Sequence, residues 1–128
     1  MQNLRSGIDL VEIDRLEGVE PAIRTRFLRR VFTTQELEEA GDSNVHLAGR
    51  FAAKEAVVKA LGCGIGPVSW QEIEILHGQS GEPRLVLHGK ASQIASDQRL
   101  TTWSVSISHT SAVAVAVAVA CGSYEGSF

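Results

Sequence analysis

The chain has 128 residues, with 44% apolar and 21% charged side chains and a formal net charge of −3. That is the size and balance of one folded domain spanning residues 1–128. It excludes a disordered or collagen-like chain and a strongly basic binder of nucleic acid or membranes.

No apolar stretch approaches the roughly 18 residues of a spanning helix. The first residues lack a secretory signal's apolar core, and Cys63 and Cys121 offer no disulfide framework. A soluble cytoplasmic protein is expected, with neither nucleic acid nor membrane as partner.

In chain order, residues 7–13 carry Ile8, Leu10, Val11 and Ile13 around Asp9 and Glu12, which predicts a short, largely buried strand. Pro21 opens a helix on which Ile23, Phe27, Leu28 and Val31 recur at helical spacing. A second helix starts at Thr33, with Glu36 three residues on as its capping-box partner, and ends at Gly41. The longest helical pattern runs over residues 46–61 and stops at Gly62.

Residues 70–76 alternate Ile73 and Ile75 with Glu72 and Glu74, predicting a half-exposed strand whose glutamates face solvent. Turn residues at 78–83 lead to a returning strand over 84–88. A short helix follows over 90–99, with Ala91, Ile94 and Ala95 inward. Residues 103–108 set Trp103, Val105 and Ile107 against three serines. The Ala/Val alternation over 112–120 predicts a strand covered on both faces. The last six residues read as frayed. Strand, helices, two strands, helix, two strands is an α+β order.

Nine of the 12 basic residues lie in the first sixty. A solvated face is the ordinary explanation of a charge run; the sharper one is an acidic ligand or partner, and charge alone does not decide between them. On the helix over 46–61, Arg50, Lys54 and Lys59 accompany Glu55. In isolation Glu55 and Lys59 make an ordinary i,i+4 pair worth about 0.3–0.5 kcal/mol. If the helix instead presents its cations to phosphates, a carboxylate among them needs a divalent cation, with Glu55 holding Mg²⁺ while Lys59 and Arg50 neutralise oxygens.

Asp9, charged within an apolar strand, is the second carboxylate such an ion needs. The alternative is that Asp9 is compensated by Arg15 or a backbone amide. The glycine-rich run at 62–67 follows a helix and lacks the residues of a P-loop or a dinucleotide fingerprint, so it reads first as a helix cap and turn. His109 closes a strand, and the four histidines show no metal-ligand spacing.

Segments in order resemble the holo-acyl-carrier-protein synthase family of 4′-phosphopantetheinyl transferases. They are Gly7-Ile8-Asp9-Leu10-Val11-Glu12-Ile13-Asp14-Arg15, the helix from Arg50-Phe51-Ala52-Ala53-Lys54-Glu55 to Lys59-Ala60-Leu61-Gly62, Gly64-Ile65-Gly66, Ile73-Glu74-Ile75, Gly81-Glu82-Pro83 and Ser106-Ile107-Ser108-His109-Thr110. The resemblance implies Mg²⁺-dependent transfer of phosphopantetheine from coenzyme A to a serine of an acyl carrier protein, releasing 3′,5′-ADP. It implies Asp9 and Glu55 as metal ligands and Lys59 at the pyrophosphate, these three forming the catalytic group. Arg50, Lys54, Gly64, Pro83 and His109 join Lys59 as coenzyme A contacts. Arg15, Arg24, Phe27 and Phe51 meet the acidic carrier protein.

The resemblance also implies a homotrimer whose sites lie at subunit boundaries, with His109 of one copy completing the Asp9/Glu55 site of the next. The stretch at 39–47 is shorter and less basic than in familiar members. For the serine's base, Glu55, Asp9 and water at the ion all qualify. Two other readings use the same residues: a Mg²⁺-dependent phosphohydrolase, and a non-catalytic domain that binds an acidic protein.

Overall fold

The computed structural model describes residues 2–123. Its elements are β1 (Gln2–Glu12), α1 (Asp14–Glu17), α2 (Pro21–Val31), α3 (Thr34–Ala40), α4 (Asn44–Leu61), β2 (Ile73–His77), β3 (Pro83–Leu87), α5 (Gly89–Asp97), β4 (Thr102–His109) and β5 (Val113–Ser123), with a single 3₁₀ turn at Trp70–Glu72. The architecture is α+β, as expected. The frayed end expected at 123–128 falls outside the described residues from 124 onward.

Local signals set most boundaries. The Thr33 hydroxyl accepts from the Glu36 amide while the Glu36 carboxylate accepts from the Thr33 amide, closing the expected capping box. Ser43 caps α4, which therefore begins two residues before the predicted start, and Gly62 ends it in the left-handed region at φ 73°.

Antiparallel strands in the order β1-β5-β4 form one sheet, and the β2-β3 hairpin forms a second. In the larger sheet Asp9 stands opposite Ala116, and Ala116 opposite Ile107. α4 lies across the inner face, where Ala114, Ala116, Ala118 and Ala120 are buried against its own Ala52, Ala53, Ala56 and Ala60. Small residues on both sides bring the two layers close. The closest approach is at Gly7, where an added Cβ would lie 1.9 Å from the Ala56 carbonyl oxygen. Only glycine fits there.

Two expectations about burial are corrected. β1 is longer than predicted and only half buried: Leu4, Ile8 and Leu10 are 71%, 59% and 62% exposed. β5 is covered by α4 on one face only, and Val117 and Val119 on its other face are exposed. A strand's period of two sends alternate residues to opposite faces, and this chain supplies a layer for one of them. The open face therefore shows Leu4, Ile8 and Leu10, then the valines of β5, then Ser104, Ser106 and Ser108 of β4.

A candidate catalytic edge on the long helix

Gly7 lets α4 settle on β1, and two residues further along that strand Asp9 comes level with Glu55 and Lys59. The Lys59 ammonium donates to Asp9 Oδ1 at 3.0 Å and to the Ile8 carbonyl at 2.9 Å. It thus reaches round the free edge of β1, since β1 is the outer strand of its sheet. The partner of Asp9 is Lys59, neither Arg15 nor a backbone amide. The simple Glu55–Lys59 helix pair is corrected accordingly: Lys59 bonds to the strand.

The other oxygen, Asp9 Oδ2, is buried without a hydrogen-bond partner. Burial, followed by the Asp9 carboxylate at its side, pushes the Glu55 carboxyl up to about 7, against the pull of Lys59 and Arg15. Two carboxylates with one ammonium between them lack a positive charge. A divalent cation fits that deficit. Among the described residues no cluster of three or more His, Cys, Asp or Glu gathers for a metal, so such an ion would have two protein carboxylates and draw its other oxygens from water or substrate. That is the habit of Mg²⁺.

The other two cations of α4 behave differently. Lys54 does not face a ligand: its side chain is fully buried and holds Glu36 at 2.8 Å and the carbonyls of Trp70 and Ile73. Burial pulls its ammonium below the ordinary lysine range, and Glu36 works against that pull. The expected place of Lys54 beside coenzyme A is therefore corrected, because no face of it reaches solvent.

Arg50 is nearly as buried, donating to the Ile75 carbonyl and to Glu39 at 2.9 Å. It nonetheless lines a cavity of about 400 Å³ together with Ser43, His46, His77, Pro83 and His109. Three expected coenzyme A contacts, Arg50, Pro83 and His109, thus meet in one place. Gly64 does not join them: it lies exposed in the loop beyond the opposite end of α4.

Sequence reasoning missed His46 and His77, whose rings stand edge to face at 5.0 Å in the same cavity. Burial, with Arg50 next, holds the His46 imidazole below its ordinary value. Nothing in their spacing, thirty-one residues apart on different elements, signals the pair. Glu74, expected in solvent, is buried between the Thr33 hydroxyl (2.6 Å) and His88 (2.9 Å). These bonds hold its carboxyl below the ordinary range although burial pushes it up.

Arg15, Arg24, Phe27 and Phe51, the expected partner contacts, all line one groove of about 330 Å³ with Val11, Leu16 and Ile23, and Glu55 stands in its wall. The Phe27 and Phe51 rings meet edge to face at 5.4 Å. An apolar groove rimmed by arginines thus leads to Glu55. The histidine cavity lies towards the other end of α4, with His46 and Lys59 about 20 Å apart along its axis.

Residues 5–118 match the family model of the 4′-phosphopantetheinyl transferase superfamily. A holo-[acyl-carrier-protein] synthase of Moorella thermoacetica is 46% identical over 125 residues, covering 95% of this chain and 97% of that protein. The structure of the Helicobacter pylori holo-[acyl-carrier-protein] synthase in complex with coenzyme A is 34% identical, with a TM-score of 0.81 over 90% of this chain and 98% of that one. A Bacillus anthracis synthase in complex with coenzyme A (3′,5′-ADP) is 34% identical, with a TM-score of 0.74 over 93% of this chain and 96% of that one.

Proposed function

This chain belongs to the 4′-phosphopantetheinyl transferase superfamily, and from that premise we propose that it moves 4′-phosphopantetheine from coenzyme A to a serine hydroxyl of an apo acyl carrier protein. The serine oxygen bonds to the β-phosphorus, the bridging P–O bond to the α-phosphate breaks, and 3′,5′-ADP leaves. The observation that carries the reading is the buried, unpartnered Asp9 Oδ2 beside a Glu55 whose carboxyl titrates near neutrality. Glu55 stands in the wall of the groove where a protein substrate can enter.

Asp9 and Glu55 would hold Mg²⁺, which when bound supplies charge stabilisation to the pyrophosphate. Lys59, fixed by Asp9 and the Ile8 carbonyl, offers its remaining N–H to a phosphate oxygen and so favours the charge that builds on the departing nucleotide. The serine hydroxyl would lose its proton to one of the groups at this edge, Glu55, Asp9 or water. The groove of Phe27 and Phe51 excludes water from that corner, and Arg15 and Arg24 on its rim suit an acidic carrier protein. We place the reaction in the cytoplasm, where the free thiols of Cys63 and Cys121 persist.

The active form is a homotrimer with shared sites. The apolar sheet face of Leu4, Ile8, Leu10, Val117 and Val119 supports association. The span of α4 supports sharing. The 3′-phosphate and 5′-pyrophosphate of coenzyme A hang on one ribose, far closer than the distance from His46 to Lys59. One ligand therefore takes the His109 cavity from one copy and the carboxylates from its neighbour.

Incubation with coenzyme A, Mg²⁺ and an apo carrier protein should add the phosphopantetheine mass to the carrier and release 3′,5′-ADP. Nucleotide release without that mass gain would mean hydrolysis, and carrier binding without either would mean a binding domain. Co-expressed Asp9→Ala and His109→Ala chains should recover activity that each lacks alone, whereas Asp9→Ala with Glu55→Ala should not. A fully active monomer would refute the shared site.

A further inference from the structure

Arg24 differs from the other cations of α2. Its guanidinium is tied to a second element, donating to Asn44 Oδ1 at 2.6 Å across twenty positions of sequence. Among the described residues the side chains of Arg26, Arg29 and Arg30 hold no such bond. Asn44 is the first residue of α4. Ser43 caps that helix, its hydroxyl accepting from the His46 amide at 3.2 Å, so the Asn44 amide can bond outward. The helical period explains the direction. Asn44, Ala48, Phe51 and Glu55 follow one another at four, three and four residues, which is one stripe of a helix. Ala48, Phe51 and Glu55 line the groove that Arg24 also lines, and Asn44 stands at the start of their stripe. His46, Gly49 and Arg50 lie on the other side of α4 and line the cavity there.

The nature of this anchor matters as much as its place. Glu17 and Asp42 line the hollow of about 390 Å³ that Arg24 and Asn44 share. Among the described residues Arg24 nevertheless forms an ion pair with neither. A carboxylate would fix the guanidinium and cancel its charge, whereas an amide oxygen fixes it and leaves the charge whole. An arginine that rotates freely loses that freedom when it binds a partner. One already held loses much less.

Taking an acidic carrier protein as the occupant of this groove, as proposed above, we infer that Asn44 is a positioning residue for docking: it holds the Arg24 guanidinium on the groove rim, fully charged, before the carrier arrives. Asn44 acts through Arg24 and takes no part in bond making.

The test is a double-mutant cycle on the full chain, read by calorimetry with an apo acyl carrier protein whose acceptor serine is replaced by alanine. Its variants are Asn44→Ala, Arg24→Ala and the two combined. Asn44→Ala should weaken carrier binding by about three- to ten-fold and leave the affinity for coenzyme A unchanged. In the Arg24→Ala background the same substitution should have little effect, because nothing remains to be held. Asn44→Asp should keep the bond and cancel the charge. Carrier binding should then weaken and lose part of its salt dependence, which Asn44→Ala retains. Full additivity with Arg24→Ala, an equal loss of coenzyme A affinity, carrier binding that Asn44→Ala leaves unchanged, or a native chain that does not bind the carrier would overturn the assignment. Transfer to a carrier with its serine intact is assayed in parallel. Coupled variants in a chain that adds no phosphopantetheine mass keep the positioning role and defeat the transferase reading, and normal transfer with additive variants does the reverse.

Discussion

Lys54 and Glu55 are adjacent in sequence and opposite in circumstance. Lys54 points into the molecule and finds Glu36 and two carbonyls, while Glu36 in turn accepts from the amides of Thr33 and Ile75. Every charge there has a full set of partners, and the result is a clamp that ties α4 to α3 and β2. Glu55, one residue on, has Asp9 at its side, an orphaned oxygen nearby and one ammonium for two carboxylates. The same helix thus carries a satisfied network and an unsatisfied one. A network with all its partners gives structure, and one short of a positive charge is ready for a ligand that brings it.

The largest effect should come from the unsatisfied network. Glu55→Ala and Asp9→Ala should each lower turnover on the order of a hundred- to a thousand-fold, with an unchanged circular dichroism spectrum. Glu55→Gln should sharpen the contrast by gaining stability as it loses activity. Folding raises the Glu55 carboxyl from 4.5 to about 7, so the folded state favours its protonated form. The stability that protonation supplies is fully present below about pH 4.5 and is lost as pH rises through about 7. With chelator present, the Gln variant should melt above the native chain at pH 8, and the gap should close in acid. A Gln variant that melts lower at pH 8 would mean that Glu55 is paired in some other way.

Breaking the satisfied network should do the reverse. Lys54→Met leaves Glu36 buried and uncompensated at a cost of about 3–5 kcal/mol, read as a fall in Tm of roughly 10 °C or more. Turnover per folded molecule should survive in the cold, and adding Glu36→Gln should restore part of the Tm. A normal Tm for Lys54→Met would remove the clamp.

Gly7→Ala lies between the two regions. Its Cβ would meet the Ala56 carbonyl, pushing β1 away from α4 at about 1–3 kcal/mol and moving Asp9 from Glu55. Its kcat should fall further than its stability accounts for, and a fall in stability alone would separate the two. The smallest effect belongs to the groove rim. Arg15→Glu should raise the KM for carrier protein by about three- to ten-fold, more in low salt than in high, and leave the KM for coenzyme A unchanged. Equal changes in both would remove Arg15 from the docking surface.

Much of this was legible in residue order, and the failures share a cause. Caps, turns and periods are local, so the Thr33–Glu36 box, the stop at Gly62 and the helix from Pro21 could be read directly. Asp9 and Glu55 were legible as chemistry because a carboxylate in an apolar strand and one among cations are both costly without a reason. What stayed hidden was which partner each charge would find. Lys54 and Lys59 look alike on the helix, and only the packing of α3 and β2 over one of them makes it structural. Glu74 alternates like a surface residue but is enclosed by Thr33, forty-one positions earlier. His46 and His77 meet only because β2 ends beside the start of α4. Long-range encounters of this kind leave no period in the sequence.

The two sides of β5 also set different terms for sequence drift. Its inner alanines lie between a sheet and a helix that Gly7 already brings to closest approach, so almost any enlargement there moves the carboxylates. Its outer valines belong to the face on which copies are proposed to associate, and Val117 stands opposite Ile8, whose carbonyl holds Lys59. With each site drawing its cavity from one copy and its carboxylates from the next, a substitution on that outer row that alters association alters the site as well. A lineage descended from this chain is therefore held on both sides of one strand, by packing on the inner row and by assembly on the outer.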